Sequence, residues 1–416
     1  MRFFIFLALF LLAEYYAFVV VRSAVRTFPS ALKTTVTVLY VLLTLAAWSG
    51  FIMFRQINWA GIPHLIRNLY VAFTLGLFLA KVIVLIIMLG DDVRRLILWI
   101  ASLFTKKVSV VQGGTVVSGK GIPRSVFLKR AALLLGGAMI GGIMYGVTNR
   151  YNYHVRRIKL SFKNLPKAFK GMKIVQISDI HSGSFDSHAA VARGVQKVID
   201  EKADLVLFTG DLVNNKADEI QPYTDIFSKI TAPLGVYSTL GNHDYGDYEH
   251  WPSAEAKVKN LNWLKQTHAN MGWRLLMNEH IVLEKGDDKI AIVGIENWGA
   301  KAGFPKYGKM DEAYKGLPEK NIPFKILLSH DPSHWDAQVR TEYSDIDLTL
   351  SGHTHGMQLG IEIPGFKWSP VKYIYKKWAG LYQEGEQYLY VNRGFGFLGY
   401  PGRLGILPEI TVIELV

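Results

Sequence analysis

Five short apolar runs in the second half of this chain each end in a cluster of histidine, aspartate or asparagine. They read Lys173-Ile-Val-Gln-Ile-Ser-Asp179-Ile-His181, Leu205-Val-Leu-Phe-Thr-Gly210-Asp211 and Val236-Tyr-Ser-Thr-Leu-Gly241-Asn242-His243-Asp244. Ile326-Leu-Leu-Ser-His330-Asp331 and Leu348-Thr-Leu-Ser-Gly352-His353-Thr354-His355 complete the set. Short apolar runs bounded by turn residues read as buried strands. Each polar group then leaves the carboxyl end of a strand, the edge at which α/β sheets bind ligands. Histidine, aspartate and asparagine converging from several strands are the donors that hydrolytic metal chemistry needs.

The chain has 416 residues, enough for two domains, and a formal net charge of +13. That excess is not a nucleic-acid signal. Residues 1–150 hold 16 Lys or Arg against 3 Asp or Glu, whereas residues 151–416 hold 31 of each. The positive charge therefore belongs to a membrane half, where basic loops set topology, and no basic patch points to DNA or RNA. There is no cysteine, which excludes disulfides and thiolate metal ligands.

Four stretches are long enough to cross a bilayer, which takes about 20 apolar residues per helix. The first runs from Phe3 to Val21 and reads as a retained span rather than a cleaved leader. The others lie between Lys33 and Arg55, between Arg67 and Asp91, and between Arg130 and Arg150. Arg94 to Phe104 reads as an interfacial helix or an extension of the third span, and Thr105 to Pro123 as a loop. In the fourth span, Gly137 with Gly141 and Gly142 with Gly146 suit close helix packing within a four-helix bundle. Glu14 and Lys81 are opposite charges inside spans; a structural pair is the favoured reading over a proton path.

The third connection carries eight basic residues, the first Arg22, Arg26 and Lys33, and the second only Arg55 and Arg67. The positive-inside rule places the first and third connections in the cytoplasm and residues 151–416 outside the cytoplasmic membrane. Pro123-Arg124-Ser125-Val-Phe127-Leu128-Lys129-Arg130 resembles a twin-arginine export signal, with Ser125 in place of the second arginine.

In residues 151–416, seven strand-like runs begin near Lys173, Asp204, Gly235, Lys289, Phe324, Ile346 and Gln387. Helical spacing marks 187–202 and 255–270, and residues 149–171 read as a juxtamembrane strand and turn.

From about residue 155 to 416, the five motifs, in this order and spacing, resemble the calcineurin-like metallophosphoesterase family and its membrane-anchored bacterial members. The resemblance implies a four-layer α/β/β/α sandwich behind the transmembrane helical domain, with residues 1–150 as anchor and 151–416 as catalytic domain. It also implies two divalent metal ions. Asp179, His181 and His355 would bind the first, Asn242, His330 and His353 the second, and Asp211 would bridge both. His243 would sit beside the scissile phosphate and assist the leaving group, with Asp244 orienting its ring.

Elementary chemistry supports such a site. Two ions about 3.5–4 Å apart clamp a phosphate and yield a hydroxide nucleophile at neutral pH. A carboxylate such as Asp211 has the two oxygens a bridge needs, and neutral Asn242 holds down the negative charge. A donor set of nitrogen and oxygen alone suits Mn, Fe or Zn, with Mn favoured.

Other histidines (His188, His250, His268, His280 and His334) read as surface or structural, and Asp186 and Asp331 as supporting groups. Gly356 to Tyr382 mixes Trp368, Tyr373, Tyr375 and Trp378 with Lys376 and Lys377; it suits a membrane interface or an ordinary insertion. Arg393 and Arg403 fit the family's C-terminal signatures, as phosphate grips or as structural ion pairs.

The expectation is a multi-pass, membrane-anchored phosphoesterase. Its substrate would be a lipid-linked or envelope phosphoester, since tethering raises the local concentration of a membrane substrate. The alternatives are a cytoplasm-facing pyrophosphatase of the UDP-2,3-diacylglucosamine type and a non-catalytic metal-dependent membrane sensor. The sensor predicts a lost ligand, and none of the seven is lost.

Overall fold

A computed structural model describes residues 2–52, 62–104, 124–301 and 303–416. The loop expected from Thr105 to Pro123, the basic residues in it, and Arg55 lie outside the described residues. The chain divides into two compact units, Met1–Tyr145 and Gly146–Val416.

The N-terminal unit is helical: α1 (Arg2–Ala24), α2 (Ser30–Ile52), α3 (His64–Phe104) and α4 (Arg124–Gly146). All four are long and apolar enough to cross a membrane. Helix α3 runs unbroken for 41 residues, so Arg94 to Phe104 extends the third span. At 1.5 Å per residue it is about 60 Å long, roughly twice the hydrocarbon thickness.

Charge is tolerated among these helices because it is paired. The Lys81 ammonium donates to Glu14 at 2.7 Å and to the Thr44 hydroxyl at 3.0 Å. Trp48 and Tyr40 also donate to Glu14, so α1, α2 and α3 share one polar centre. The glycine reading needs correction. A Cβ on Gly137 or Gly141 would meet nothing within 4 Å. The close approach is made instead by Gly136, against Ala80 of α3, and by Gly76 of α3, against Ile140. One residue turns a helix face by about 100°, so α4 turns the face holding Gly136 and Ile140 to α3 and not the face holding Gly137 and Gly141.

The C-terminal unit is a sandwich. Its strands are β1 (His154–Leu160), β2 (Lys173–Ile177), β3 (Leu205–Phe208), β4 (Val236–Ser238), β5 (Arg274–Leu275), β6 (Glu279–Lys285) and β7 (Asp288–Gly294). There follow β8 (Phe324–Leu328), β9 (Leu348–Ser351), β10 (Ile361–Ile363), β11 (Phe366–Trp368), β12 (Gly380–Glu384), β13 (Gln387–Val391) and β14 (Glu409–Leu415). One six-stranded sheet has the order β1-β14-β2-β3-β4-β5 and the other β12-β13-β9-β8-β7-β6; β10 and β11 form a separate hairpin. The helices are α5 (His188–Asp200), α6 (Thr224–Phe227), α7 (Ala254–Asn270) and α8 (Met310–Tyr314).

Alternation along the strands builds the layers. Val175 and Ile177 of β2, with Val206 and Phe208 of β3, pack under α5 through Val191, Val195 and Val198. The alternate residues Ile174, Leu205 and Leu207 face Phe324, Ile326, Leu328, Leu348 and Leu350 of the second sheet. On the far side, Val293 and Leu327 meet Met310 and Ala313 of α8 and Trp335. This is the expected four-layer α/β/β/α arrangement. Central strands β2, β3 and β4 run parallel to one another, as do β7, β8 and β9, which gathers their carboxyl ends.

We expect Glu14→Gln or Lys81→Met alone to cost about 3 kcal/mol by stranding a buried charge, and the double variant to recover most of it. Thermal unfolding of the detergent-solubilised chain measures this. A double variant as unstable as the worse single would show that the two charges are not coupled.

Candidate metal centre

The polar motifs follow their strands within two to four residues, and the backbone bends sharply where they do. Asp179 (φ 52°), His181 (φ 47°), Asp211 (φ 61°), His353 (φ 70°) and His355 (φ 49°) all occupy the left-handed region. For residues with a side chain this costs about 1–2 kcal/mol each, so the surroundings must hold them. They do. The Asp179 amide donates to the Gly210 carbonyl at 2.9 Å, and the His181 amide to the Asp211 carbonyl at 3.1 Å. The His353 amide donates to the Asp179 carboxylate at 2.9 Å.

Two motif glycines are required by crowding. A Cβ on Gly241 would lie 2.2 Å from Asp211 Oδ1, and one on Gly352 would lie 2.1 Å from Asp179 Oδ2. No side chain fits at either position.

The structure brings all seven expected ligands together. Asp179, His181 and His355 form one group, and Asp211, His330 and His353 another; within each, potential ligand atoms lie within 4.8 Å of one another. Asp211 Oδ2 faces both, 3.4 Å from His181 Nε2 and 3.1 Å from His330 Nε2. The Asn242 side-chain oxygen lies 2.8 Å from His353 Nδ1. His181 Nδ1 and Nε2, His330 Nε2 and His355 Nε2 are buried with no hydrogen-bond partner. Buried polar atoms are normally satisfied, so unpaired imidazole nitrogens turned toward carboxylates fit a divalent cation.

Electrostatics point the same way. Burial drives the Asp179 carboxyl up to about 6, while the positive His330 opposes it. Burial also works against charge on Asp211, yet His330, His243 and His181 together hold its pKa well below the usual carboxylate range. At His330 burial disfavours the cation, but Asp211 and Asp179 overcome it and raise the ring to about 10. Burial pulls His181 down to about 3. The site demands positive charge near Asp211, while burial lowers His181, His353 and His355 and keeps those rings neutral, as metal ligation requires.

Groups around the ligands set which ring nitrogen is available. His330 Nδ1 lies 2.7 Å from the Thr209 carbonyl and keeps its proton there, so a cation that displaces the second proton would find the lone pair at Nε2. Tyr375 donates to Asp331 at 3.2 Å and accepts from His353 Nε2 at 2.9 Å, which leaves the His353 Nδ1 lone pair and the Asn242 oxygen, two acceptors 2.8 Å apart, open to one shared cation. Tyr248 accepts from the Asn242 amide at 2.9 Å, aiming the Asn242 oxygen the other way. In the sequence Tyr375 belongs to the Gly356–Tyr382 segment, and nothing in the spacing of Tyr375 or Tyr248 ties either to a motif. Tyr248, Phe304 and Leu398 line a cavity of about 350 Å³ with the candidate ligands.

One expectation changes. Asp244 does not touch the His243 ring. Its carboxylate accepts from the backbone amides of Asp211, Leu212 and Gly241 at 2.8–2.9 Å, pinning the Asp211 loop to the Asn242 loop. Burial, reinforced by the Asp211 charge, pushes it up to about 7. The His243 ring is held instead by the Asn214 carbonyl, 2.7 Å from Nδ1. A backbone acceptor leaves no mark in a motif, so sequence could not find it.

The arginines resolve to structure. Arg393 pairs with Glu409 at 2.5 Å and Glu362 at 2.6 Å. Arg403 is fully buried and donates to the carbonyls of Arg393 and Gly396, with its guanidinium 3.2 Å from His355 Nδ1. Asp186 accepts from Arg150 and Tyr151, and buried His334 bonds Ser329 at 2.9 Å; both are supporting roles, as read.

The sequence profile described as calcineurin-like phosphoesterase matches residues 172–357. A second, described as "Probable Calcineurin-like phosphoesterase, transmembrane domain", matches residues 1–150. The chain is 32% identical over 307 residues to an uncharacterized metallophosphoesterase, YkuE, of Bacillus subtilis (strain 168), a match covering 71% of this chain and 98% of that one. It is 26% identical over 300 residues to phosphodiesterase YaeI of Escherichia coli (strain K12), covering 71% and 100%. With UDP-2,3-diacylglucosamine pyrophosphatase LpxG of Chlamydia trachomatis it shares 28% identity over 285 residues, covering 56% and 81%.

The geometry separates Asp244 from His243 experimentally. Asp244→Asn turns an amide toward amide donors, so we expect a loss of about 2 kcal/mol in stability together with weaker metal retention. His243→Ala should leave the melting temperature within about 2 °C. Equal melting temperatures and equal metal content in the two variants would restore the ring-orienting role to Asp244.

Proposed function

The chain belongs to the calcineurin-like phosphoesterase family, and from that premise we propose a membrane-anchored binuclear phosphoesterase acting on a lipid-linked or envelope phosphoester. That it is a hydrolase of phosphoester bonds follows from the family. The observation that carries the binuclear reading is Asp211, whose Oδ2 faces a histidine of each ligand group. In this reading Asp179, His181 and His355 would hold one ion, Asn242, His330 and His353 the other, and Asp211 would serve both, with manganese the favoured metal. When bound, the ions supply Lewis-acid stabilisation of the phosphoryl oxygens and a water acidic enough to react at neutral pH.

The chain's own residues do the rest. His243, with Nδ1 committed to Asn214, keeps Nε2 for the substrate. There, as the doubly protonated ring, it would give its Nε2 proton to the departing oxygen. Tyr248, Phe304 and Leu398 shape the cavity around the phosphoryl group. A volume of about 350 Å³ takes a phosphate and part of its ester, while longer substituents extend beyond it.

The anchor is residues 1–150, the extent of the transmembrane profile match, and the catalytic domain is residues 151–416. The basic first and third connections favour a catalytic domain outside the cytoplasmic membrane. One observation favours a second reading. Likeness to a UDP-2,3-diacylglucosamine pyrophosphatase supports a lipid pyrophosphate substrate met on the cytoplasmic face.

The detergent-solubilised chain loaded with Mn should hydrolyse bis-p-nitrophenyl phosphate or p-nitrophenyl phosphate and lose that activity with a chelator. Asp211→Asn should abolish it with loss of bound metal. His243→Ala should lower kcat by about 10²–10⁴-fold with metal retained. Full activity in Asp211→Asn would remove the binuclear mechanism. Protease added to intact spheroplasts should cut within residues 151–416, and protection there would reverse the orientation in favour of the second reading.

A further inference from the structure

The hairpin β10–β11 is too small to carry a core of its own, yet it presents apolar side chains to the outside. It closes through Pro364-Gly365, with Gly365 at φ 79°, a turn that leaves three residues in each strand. Its two faces differ. Glu362 faces inward, and its cross-strand partner Lys367, though exposed, is tied to the domain: Glu362 meets Arg393 at 2.6 Å and Arg156 at 2.8 Å, and Lys367 donates to the Ala379 carbonyl. On the other face, Ile361 pairs with Trp368 and Ile363 with Phe366. Ile361, Ile363 and Phe366 are each about half exposed, and Tyr373 and Ile374 extend the surface. Lys372 and Lys376 are exposed beside them. Among the described residues nothing covers this face.

Where the hairpin is rooted matters more than its composition. The last residues of the fourth apolar span, Gly146–Asn149, belong to the C-terminal unit itself. The Arg403 amide donates to the Gly146 carbonyl at 2.9 Å, the Leu404 amide to Gln358 at 2.8 Å, and the Gly360 amide to Leu404 at 2.9 Å. Three successive hydrogen bonds thus tie the end of a membrane span to the base of the hairpin. Each hairpin strand reaches about 10 Å, longer than the roughly 5–7 Å interfacial zone on one side of a bilayer, so its tip can pass the headgroups.

From this we propose that the β10–β11 hairpin, with Tyr373 and Ile374, docks into the interfacial layer of a glycerolipid bilayer on the side where the fourth span ends. Ile363 and Phe366, the pair at the tip, enter the acyl boundary, and the Ile361–Trp368 pair and Tyr373 lie at headgroup level, where aromatic rings concentrate. Lys372 and Lys376 meet lipid phosphates, which adds affinity for anionic lipid. The same segment runs back through Gly356 to His355, so docking would hold the candidate metal centre close to the surface where lipid headgroups lie. The inference rests on the membrane-anchored reading but not on the metal or the substrate.

The absence of cysteine makes the test clean. Single variants Ile363→Cys and Phe366→Cys are labelled with an environment-sensitive fluorophore in the full chain, in nanodiscs holding one copy each. Leu45→Cys, on an exposed apolar position of α2, reports the anchor, and Glu386→Cys, on an exposed turn, reports water. Lipids carrying a quencher near the headgroup should remove most of the intensity at 363 and 366 and leave 386 bright. Phosphatidylglycerol added to phosphatidylcholine should deepen that loss, and Lys372→Gln with Lys376→Gln should reverse the deepening. Quenching at 45 with none at 363 and 366 overturns the docking surface while the anchor stands. No quenching at all three overturns both. A shielded probe at 363 only in discs holding several copies assigns the face to a second copy of the chain and overturns the proposal.

Discussion

Two carboxylates, Asp179 and Asp211, are buried at the seam where two sheets present their strand ends, and the rest of the C-terminal unit is arranged around that burden. An isolated buried charge is far too costly to keep, so the fold must surround it with donors and cations. It does so with the His353 amide at Asp179, with imidazoles at Asp211, and with Arg403 behind His355. The five left-handed ligand residues are a second cost of the same kind. A structure that carries both keeps them because they place donor atoms where a cation can join them.

Order spreads outward from these ligands through groups that never reach the cavity. Asp244 staples the Asp211 loop to the Asn242 loop by accepting several amides at once, so two motifs from adjacent strands move as one. Tyr375 comes from the insertion after His355, yet it fixes the His353 ring through Asp331. The insertion is therefore braced to the centre at one end and to the end of the membrane span at the other, through Gly360, Leu404 and Arg403. A disturbance at the surface of that segment has a hydrogen-bonded route to a ligand.

Much of this was legible before any coordinates. The seven strand runs marked by apolar sequence all appear, each within two residues of its expected start. The helices over 187–202 and 255–270 appear as α5 and α7. All seven candidate ligands converge, because a metal centre needs donors at fixed points and so leaves short, dense motifs. What went unread was sparse in signal. Strand β14 lies between β1 and β2 in the first sheet, although more than 200 residues separate it from either. Strand pairing over such a span leaves no local trace. The helix phase of α4 was missed for a related reason: Gly136, Gly137 and Gly141 are equivalent in composition and differ only in which neighbour they meet.

The sequence by itself determined that an apolar, basic, four-span half precedes an α/β half and that histidine, aspartate and asparagine gather at strand ends. Apolar length and strand-end chemistry are local properties, written in consecutive residues. Only the tertiary structure decided that Asp244 binds backbone and not the His243 ring, that Asn214 holds that ring, and that Arg393 and Arg403 are braces. Those outcomes depend on which groups distant segments bring within about 3 Å, the reach of a hydrogen bond. No spacing along the chain encodes that distance.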